Sequence, residues 1–331
     1  MSAALDSRPA LAPVPLADAR ASADLRAAVK AEMAQLGIKL PEVARQSGVG
    51  YSTLSAWMND SYTGDNERVA RDVQRWLDSL SAQARARALD RVAPGFVHTP
   101  SSEAFIAALE HAQYTADLVV VCGEAGVGKT MACEEYERTH PNVWLLTAEP
   151  SFASTRAMLG ELCEVIGVTE PVATRRSRSI ISRVRGSSGL LVVDEAQHLT
   201  VLAIEQLRAI HDKAHIGFAL VGNPGVYAQL LGDARGNLTA QLSSRVGLRL
   251  QRKGPRAEDI DAILDAWGIQ GDGRKLLRAV AHKPGALRGM VKTLRLARAI
   301  AVHCGTEEIE PRHVEAAWLQ LSDTPLPAGR D

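Results

Sequence analysis

The chain has 331 residues, 46% of them apolar and only 4% aromatic, which allows two or three domains with aliphatic cores. Lys plus Arg and Asp plus Glu balance at 38 each, so the chain is no polycation, and any grip on nucleic acid must come from local basic patches. The four cysteines (Cys122, Cys133, Cys163, Cys304) form no C-x-x-C pair, which argues against a zinc or disulfide framework. No apolar run approaches the length of a membrane span and no signal-peptide core is present, so a soluble, cytoplasmic protein is expected.

Residues 1–22 are rich in alanine and proline without periodicity, and a flexible tail is predicted. Residues 23–80 form a helical block. Within it, the run from Leu40 to Val49 reads as a short helix and a glycine turn at Gly48, and the run from Ser52 to Met58 as a second helix. Val43, Ala44, Val49, Leu54 and Trp57 give the pair a shared core, the pattern of a repressor-type helix-turn-helix. Tyr51, Ser52, Thr53 and Ser55 are its candidate contacts to DNA. The second helix itself carries no Arg or Lys, and Arg–guanine contact is the commonest specific one. The module therefore fits protein contact as well as DNA contact.

Residues 81–102 read as a linker: an arginine–alanine helix extension, then Pro94-Gly95 and Pro100. Residues 103–253 alternate short apolar strands with helical segments, which predicts a mostly parallel, five-stranded sheet. The strands are placed at 118–122, 143–147, 190–193, 218–221 and 246–250.

The first strand runs into Gly123-Glu124-Ala125-Gly126-Val127-Gly128-Lys129-Thr130, which matches G-x-x-x-x-G-K-[ST] at every fixed position. A helix can follow from Met131. In that context the glycines let backbone N–H groups surround phosphates at a helix N-terminus. Lys129 would reach the β- and γ-phosphates of ATP, and the Thr130 hydroxyl would ligate Mg²⁺.

The strand at 190–193 ends in Asp194-Glu195. Asp194 would complete the Mg²⁺ shell and Glu195 would act as general base toward the attacking water. The next strand ends at Gly222-Asn223. Asn223 would orient that water from the neighbouring strand end, or simply form the turn before Pro224. Ser243-Ser244-Arg245 closes the following helix, where Arg245 would serve as an arginine finger to a neighbouring subunit or remain a solvated charge. Between the second and third strands Arg175, Arg176, Arg178, Arg183 and Arg185 crowd into a basic patch, a candidate DNA contact.

Residues 254–321 return to helical periodicity as a lid, and 322–331 form a second tail. Pro284-Gly285-Ala286-Leu287-Arg288 opens a lid helix, from which Arg288 would fold back onto the nucleotide. The stretch 274–298 is rich in Lys and Arg without Asp or Glu, a second candidate footprint. These parts together resemble the AAA+ ATPase superfamily.

Longer stretches resemble one family within it: the B transposition proteins of Mu-type phages and prophages. They are residues 59–69 (Asn-Asp-Ser-Tyr-Thr-Gly-Asp-Asn-Glu-Arg-Val), Gln74-Arg75-Trp76-Leu77, Val119 through Gly123, Asn142-Val143-Trp144, Lys283 through Arg288, and Thr293-Leu294-Arg295-Leu296-Ala297. The similarity spans roughly residues 24–321, and the order of helix-turn-helix, ATPase and lid agrees. That resemblance implies ATP-dependent, sequence-nonspecific binding of double-stranded DNA as a homo-oligomeric helical filament. It further implies delivery of the target to a transposase, stimulation of strand transfer, and hydrolysis-driven release that gives target immunity. The competing reading is an ATP-controlled, sequence-specific regulator using the helix-turn-helix; a non-DNA scaffold ATPase is a third.

Overall fold

The computed structural model describes residues 16–91, 93–152, 154–226, 245–322, 324 and 326. The chain divides between residues 92 and 93 into two compact units.

The first unit holds helices α1 (Leu16–Leu36), α2 (Leu40–Ser47), α3 (Tyr51–Met58) and α4 (Asn66–Arg91). Pro41 sits in the first turn of α2, where no backbone donor is needed. Gly48, at φ 73°, ends α2 in the left-handed region, and Gly50 opens α3. The predicted core is observed: Val43, Ala44, Val49, Leu54 and Trp57 are buried with Val29 of α1 and Val69, Val73 and Trp76 of α4. The Trp76 indole N–H donates to Gln46 Oε1 at 3.0 Å, tying α4 to α2.

One expectation needs correction. Helix α1 begins at Leu16, inside the stretch 1–22 predicted to be a tail. The residues there (Leu-Ala-Asp-Ala-Arg-Ala) are mostly strong helix formers, and they extend a helix that Leu25, Val29 and Met33 anchor at i, i+4 and i+8. Residues 1–15 lie outside the described residues.

The second unit begins with α5 (Pro100–Thr115). The Thr99 hydroxyl accepts from Ser102 N–H, and the Ser102 hydroxyl accepts from Thr99 N–H, a reciprocal cap that starts the helix ahead of residue 103. There follow β1 (Leu118–Gly123), α6 (Lys129–Thr139), β2 (Val143–Thr147), α7 (Thr155–Ile166), α8 (Arg176–Val184), β3 (Leu190–Asp194), α9 (Val201–Ala214), β4 (Gly217–Gly222) and β5 (Val246–Arg252). The strands form one parallel sheet in the order β2-β3-β4-β1-β5. Strands β1, β3 and β4 are buried along their whole length, as apolar runs covered by helices on both faces demand. The sheet order reverses beside β1, so the crevice at its C-terminal end is where a ligand site belongs.

Helices α10 (Ala257–Ala266), α11 (Gly271–Ala281), α12 (Ala286–His303) and α13 (Pro311–Ser322) form the lid around Ile260, Leu264, Trp267, Leu277, Met290, Leu294 and Val314. Val97 packs against this cluster from the segment ahead of α5. A buried carboxylate joins lid to sheet layer: Asp259 of α10 accepts from Ser101 N–H at 2.8 Å, Ser101 Oγ at 2.6 Å and Arg256 N–H at 2.8 Å. Burial alone would push its pKa up, but the hydrogen bonds from Ser101 and Arg256 outweigh that and hold it below the ordinary aspartate value.

Candidate nucleotide site

The phosphate loop lies between β1 and α6. Gly126 and Gly128 have φ of 84° and 94°, which only glycine adopts without strain. Gly126 is also pressed against the lid. A Cβ there would stand 2.0 Å from the Gly285 carbonyl oxygen, and the Arg288 N–H donates to the Gly126 carbonyl at 3.3 Å. The N-terminus of α12 is thus seated directly on the loop.

Lys129 Nζ donates to the carbonyls of Gly123 and Glu124, each at 2.9 Å. Burial lowers its pKa, while the nearby carboxylates of Asp194 and Glu195 pull it back up. The Thr130 hydroxyl donates to Asp194 Oδ2 at 2.7 Å, across from the end of β3. That contact sets two hard oxygen donors beside the loop, the donor type Mg²⁺ takes when phosphates and water complete its octahedron. The residues therefore fit a Mg²⁺–nucleotide.

Asp194 is buried, and its Oδ1 accepts from the Glu195 N–H at 2.8 Å. Glu195 turns through the left-handed region at φ 53°, an uncommon state for a side-chain-bearing residue. Its carboxylate accepts a short hydrogen bond from the Gln197 amide. Asn223, exposed at the end of β4, accepts from Gly225 N–H at 2.7 Å through Oδ1, so it does form the turn at Pro224. Both carboxylates and Asn223 lie at the C-terminal sheet edge.

A cavity of about 560 Å³ opens over the loop, the size class of small-molecule sites. It is lined by 125–131, including Met131, by Glu195, and by Arg288, Lys292 and Arg295 of the lid. Phe96, Val97, Ile263, Trp267 and Leu287 supply an apolar wall that sequence reading missed. Those residues are scattered through linker and lid, and only folding brings them to one wall.

Arg245 is not part of this cavity. It directly precedes β5, level with the start of β1, at the sheet edge opposite the loop, where its guanidinium meets Asp212. Ser243 and Ser244 and the helix expected to end there lie outside the described residues. Of the basic patch, Arg175, Arg178, Arg183 and Arg185 are exposed and Arg176 is half-buried. Arg176 donates to the carbonyls of Glu170 and Arg156, and Arg185 to that of Lys213.

The basic lid stretch is not the free cationic face its sequence suggests. Arg274 and Arg278 are neutralised by Asp261, and Arg274 also by Asp265, both acids coming from α10. Arg288, Lys292 and Arg295 face the cavity, and the Arg298 guanidinium lies over the Trp267 ring at 5.4 Å. In the first unit, Tyr51 is 55% exposed and Ser52 is exposed, while Thr53 and Ser55 are half-buried.

Residues 111–230 match the AAA domain model, and residues 244–321 match the model described as Mu B transposition protein, C terminal. The ATP-dependent target DNA activator B of Escherichia phage Mu is 37% identical over 303 residues, covering 90% of this chain and 95% of that protein. The chain belongs to the Mu B transposition protein family. Its relatives include the Mu-like prophage FluMu DNA transposition protein B of Haemophilus influenzae, 35% identical over 80% of this chain and 93% of that one. The Aeropyrum pernix ORC1 protein, solved in complex with DNA, superposes with a TM-score of 0.51 over 69% of this chain and 66% of its own, at 17% identity. That likeness is one of fold, and it agrees with the AAA domain match of this Mu B family member. Among the described residues no helix is long and apolar enough to cross a membrane.

Proposed function

We propose that this chain is an ATP-dependent activator of target DNA in transposition, hydrolysing ATP to ADP and phosphate while bound to duplex DNA in the bacterial cytoplasm. The observation that carries this is the convergence of a phosphate loop, the Thr130–Asp194 pair, Glu195 and Arg288 on one cavity, in a chain alike to a target DNA activator over 90% of its length.

Each residue has a task that its position supports. The loop N–H groups of 123–130 and the Lys129 ammonium hold the phosphates, at the N-terminus of α6 where the helix dipole favours negative charge. Thr130 and Asp194 hold Mg²⁺, which when bound offsets charge on the β- and γ-phosphates. Glu195 takes the proton of the attacking water, and Asn223 orients that water. The apolar wall of Phe96, Val97 and Trp267 takes the base. Arg288 reports the nucleotide to the lid through α12, whose N-terminus rests on the loop.

Arg245 sits too far around the sheet to act in its own site, so its role is in the site of the next subunit. ATP then joins subunits into a filament on DNA, and repeated weak phosphate contacts add up to tight binding of any sequence. The α8 arginines supply such contacts. Helix α3 (Tyr-Ser-Thr-Leu-Ser-Ala-Trp-Met) offers no Arg or Lys for reading guanine, which favours nonspecific binding over a sequence-specific regulator. Transposase-stimulated hydrolysis releases the filament, which delivers the target, permits strand transfer and gives target immunity.

Electron microscopy with random-sequence duplex tests this. Filaments are expected only with ATP and Mg²⁺, and Glu195→Gln should form filaments that persist. Discrete particles in every condition, or tight binding without nucleotide, would overturn the proposal.

A further inference from the structure

One side-chain amide connects the two strand ends that frame the reaction. Gln197 Nε2 donates to Glu195 Oε2, and Gln197 Oε1 accepts from the Asn223 N–H at 3.1 Å. The Asn223 N–H can only donate, so the oxygen end of the amide must face it. The NH₂ end is then committed to Glu195. The amide sits in a fitted slot: a Cβ on Gly222 would lie 2.3 Å from Gln197 Oε1 and 2.6 Å from Val226 Cγ2. Glu195 is fixed from its other side as well, because its N–H donates to Asp194 Oδ1.

We propose that Gln197 is a positioning residue for hydrolysis, holding the Glu195 carboxylate against the end of β4 so that one oxygen is engaged and the other faces the water. The inference rests on Glu195 being the general base. In that step Glu195 takes a proton from water and the water oxygen bonds to the γ-phosphorus. The bond from that phosphorus to the bridging oxygen breaks, and its electron pair leaves with ADP. A base that swings free spends little time within reach of that proton, and misplacement on the order of 1 Å costs about a hundredfold. Because the amide also grips the Asn223 backbone, displacement of the β4 tip is transmitted to the base.

The test is steady-state ATPase kinetics of the full chain on duplex DNA for Gln197→Met, Gln197→Glu and Glu195→Gln, with ATP binding and thermal unfolding measured in parallel. Met keeps the volume of Gln and removes both hydrogen bonds. It should lower kcat by about 10- to 100-fold with KM for ATP and Tm little changed. Glu at 197 keeps the shape of the side chain but replaces the donor NH₂ by an oxygen that repels the Glu195 carboxylate, so it should lower kcat at least as much, again with KM for ATP little changed. Native kcat in both Gln197 variants, with Glu195→Gln inactive, would defeat the Gln197 role alone. Parallel loss of ATP binding and Tm in Gln197→Met would also defeat it, by showing a purely structural part. Normal turnover in Glu195→Gln would defeat the general-base reading and this inference together.

Discussion

Arg245 donates from one guanidinium nitrogen, Nη1, to both carboxylate oxygens of Asp212 at 3.2 Å. Asp212, at the end of α9, also holds Arg208 at 2.5 Å, so two cations share one acid. The Arg245 side chain is nonetheless 57% exposed. It is presented outward, with its guanidinium tethered, at the sheet edge away from its own phosphate loop.

That arrangement separates stability from catalysis. Exposed ion pairs contribute about 0–1 kcal/mol, so Arg245→Ala should leave Tm nearly unchanged. ATP hydrolysis on duplex DNA should drop at least about a hundredfold if the finger acts in trans. Mixing with Lys129→Ala subunits should restore part of the activity, since each variant keeps the half the other lacks. A pure Arg245→Ala preparation with native turnover, or a mixture with no recovery, would refute the trans assignment.

Lys129 gives a prediction in pH. Its folded pKa is lowered, chiefly by burial, below the ordinary 10.5. Between the folded value and 10.5 the unfolded chain binds the extra proton, so this residue makes stability rise with pH through that window. Lys129→Met removes the contribution. Denaturant unfolding at several pH values should show a flatter curve for the variant just below 10.5, together with lost nucleotide binding and no filaments on DNA. A steeper curve, or retained ATP-dependent filaments, would contradict the reading of the loop.

Asp259 tests the joint between lid and sheet layer. Removing its carboxylate strands the Ser101 N–H and the Ser101 hydroxyl in a buried place and takes the acceptor from the half-buried Arg256 N–H. Asp259→Ala should cost about 2–4 kcal/mol. The folded pKa is depressed, so the stabilisation is complete above the ordinary 3.8 and fades as pH falls through the lower folded value. The variant should lose that part of the acid-unfolding transition. ATP KM should rise as well, because α12 no longer rests squarely on Gly126.

Much of this was legible in the sequence for a local reason. The strands at 118–122, 143–147, 190–193, 218–221 and 246–250 are short apolar runs mostly bounded by Gly, Asp or Asn, and the observed strands extend some of them by a residue or two. The phosphate loop and the Asp194-Glu195 pair are likewise contiguous motifs. The turn at Gly48 and the core of Val43, Leu54 and Trp57 follow from helical spacing. What escaped depends on approach between distant segments. Gln197 shows its role only when the end of β4 reaches it, and Asp259 only when α5 does. The lid arginines looked free because their counter-charges, Asp261 and Asp265, lie on a different helix. The start of α1 was missed because prolines upstream of residue 16 masked a helix-forming run.

The α8 patch separates DNA binding from packing within one cluster. Arg176 is half-buried and bonded to two carbonyls, so Arg176→Ala should lower Tm and disturb the α7–α8 pair. Arg178 and Arg183 lie on the same helix with solvent access, and their charge is available to phosphate. Arg178→Ala and Arg183→Ala should leave Tm unchanged and weaken ATP-dependent binding to random and defined duplexes equally. Each DNA phosphate that a variant no longer neutralises should reduce the slope of log affinity against log salt by about one. Salt titrations of filament formation read that slope directly. An unchanged slope in the double variant would move the DNA-binding surface off α8 and onto another face of the chain.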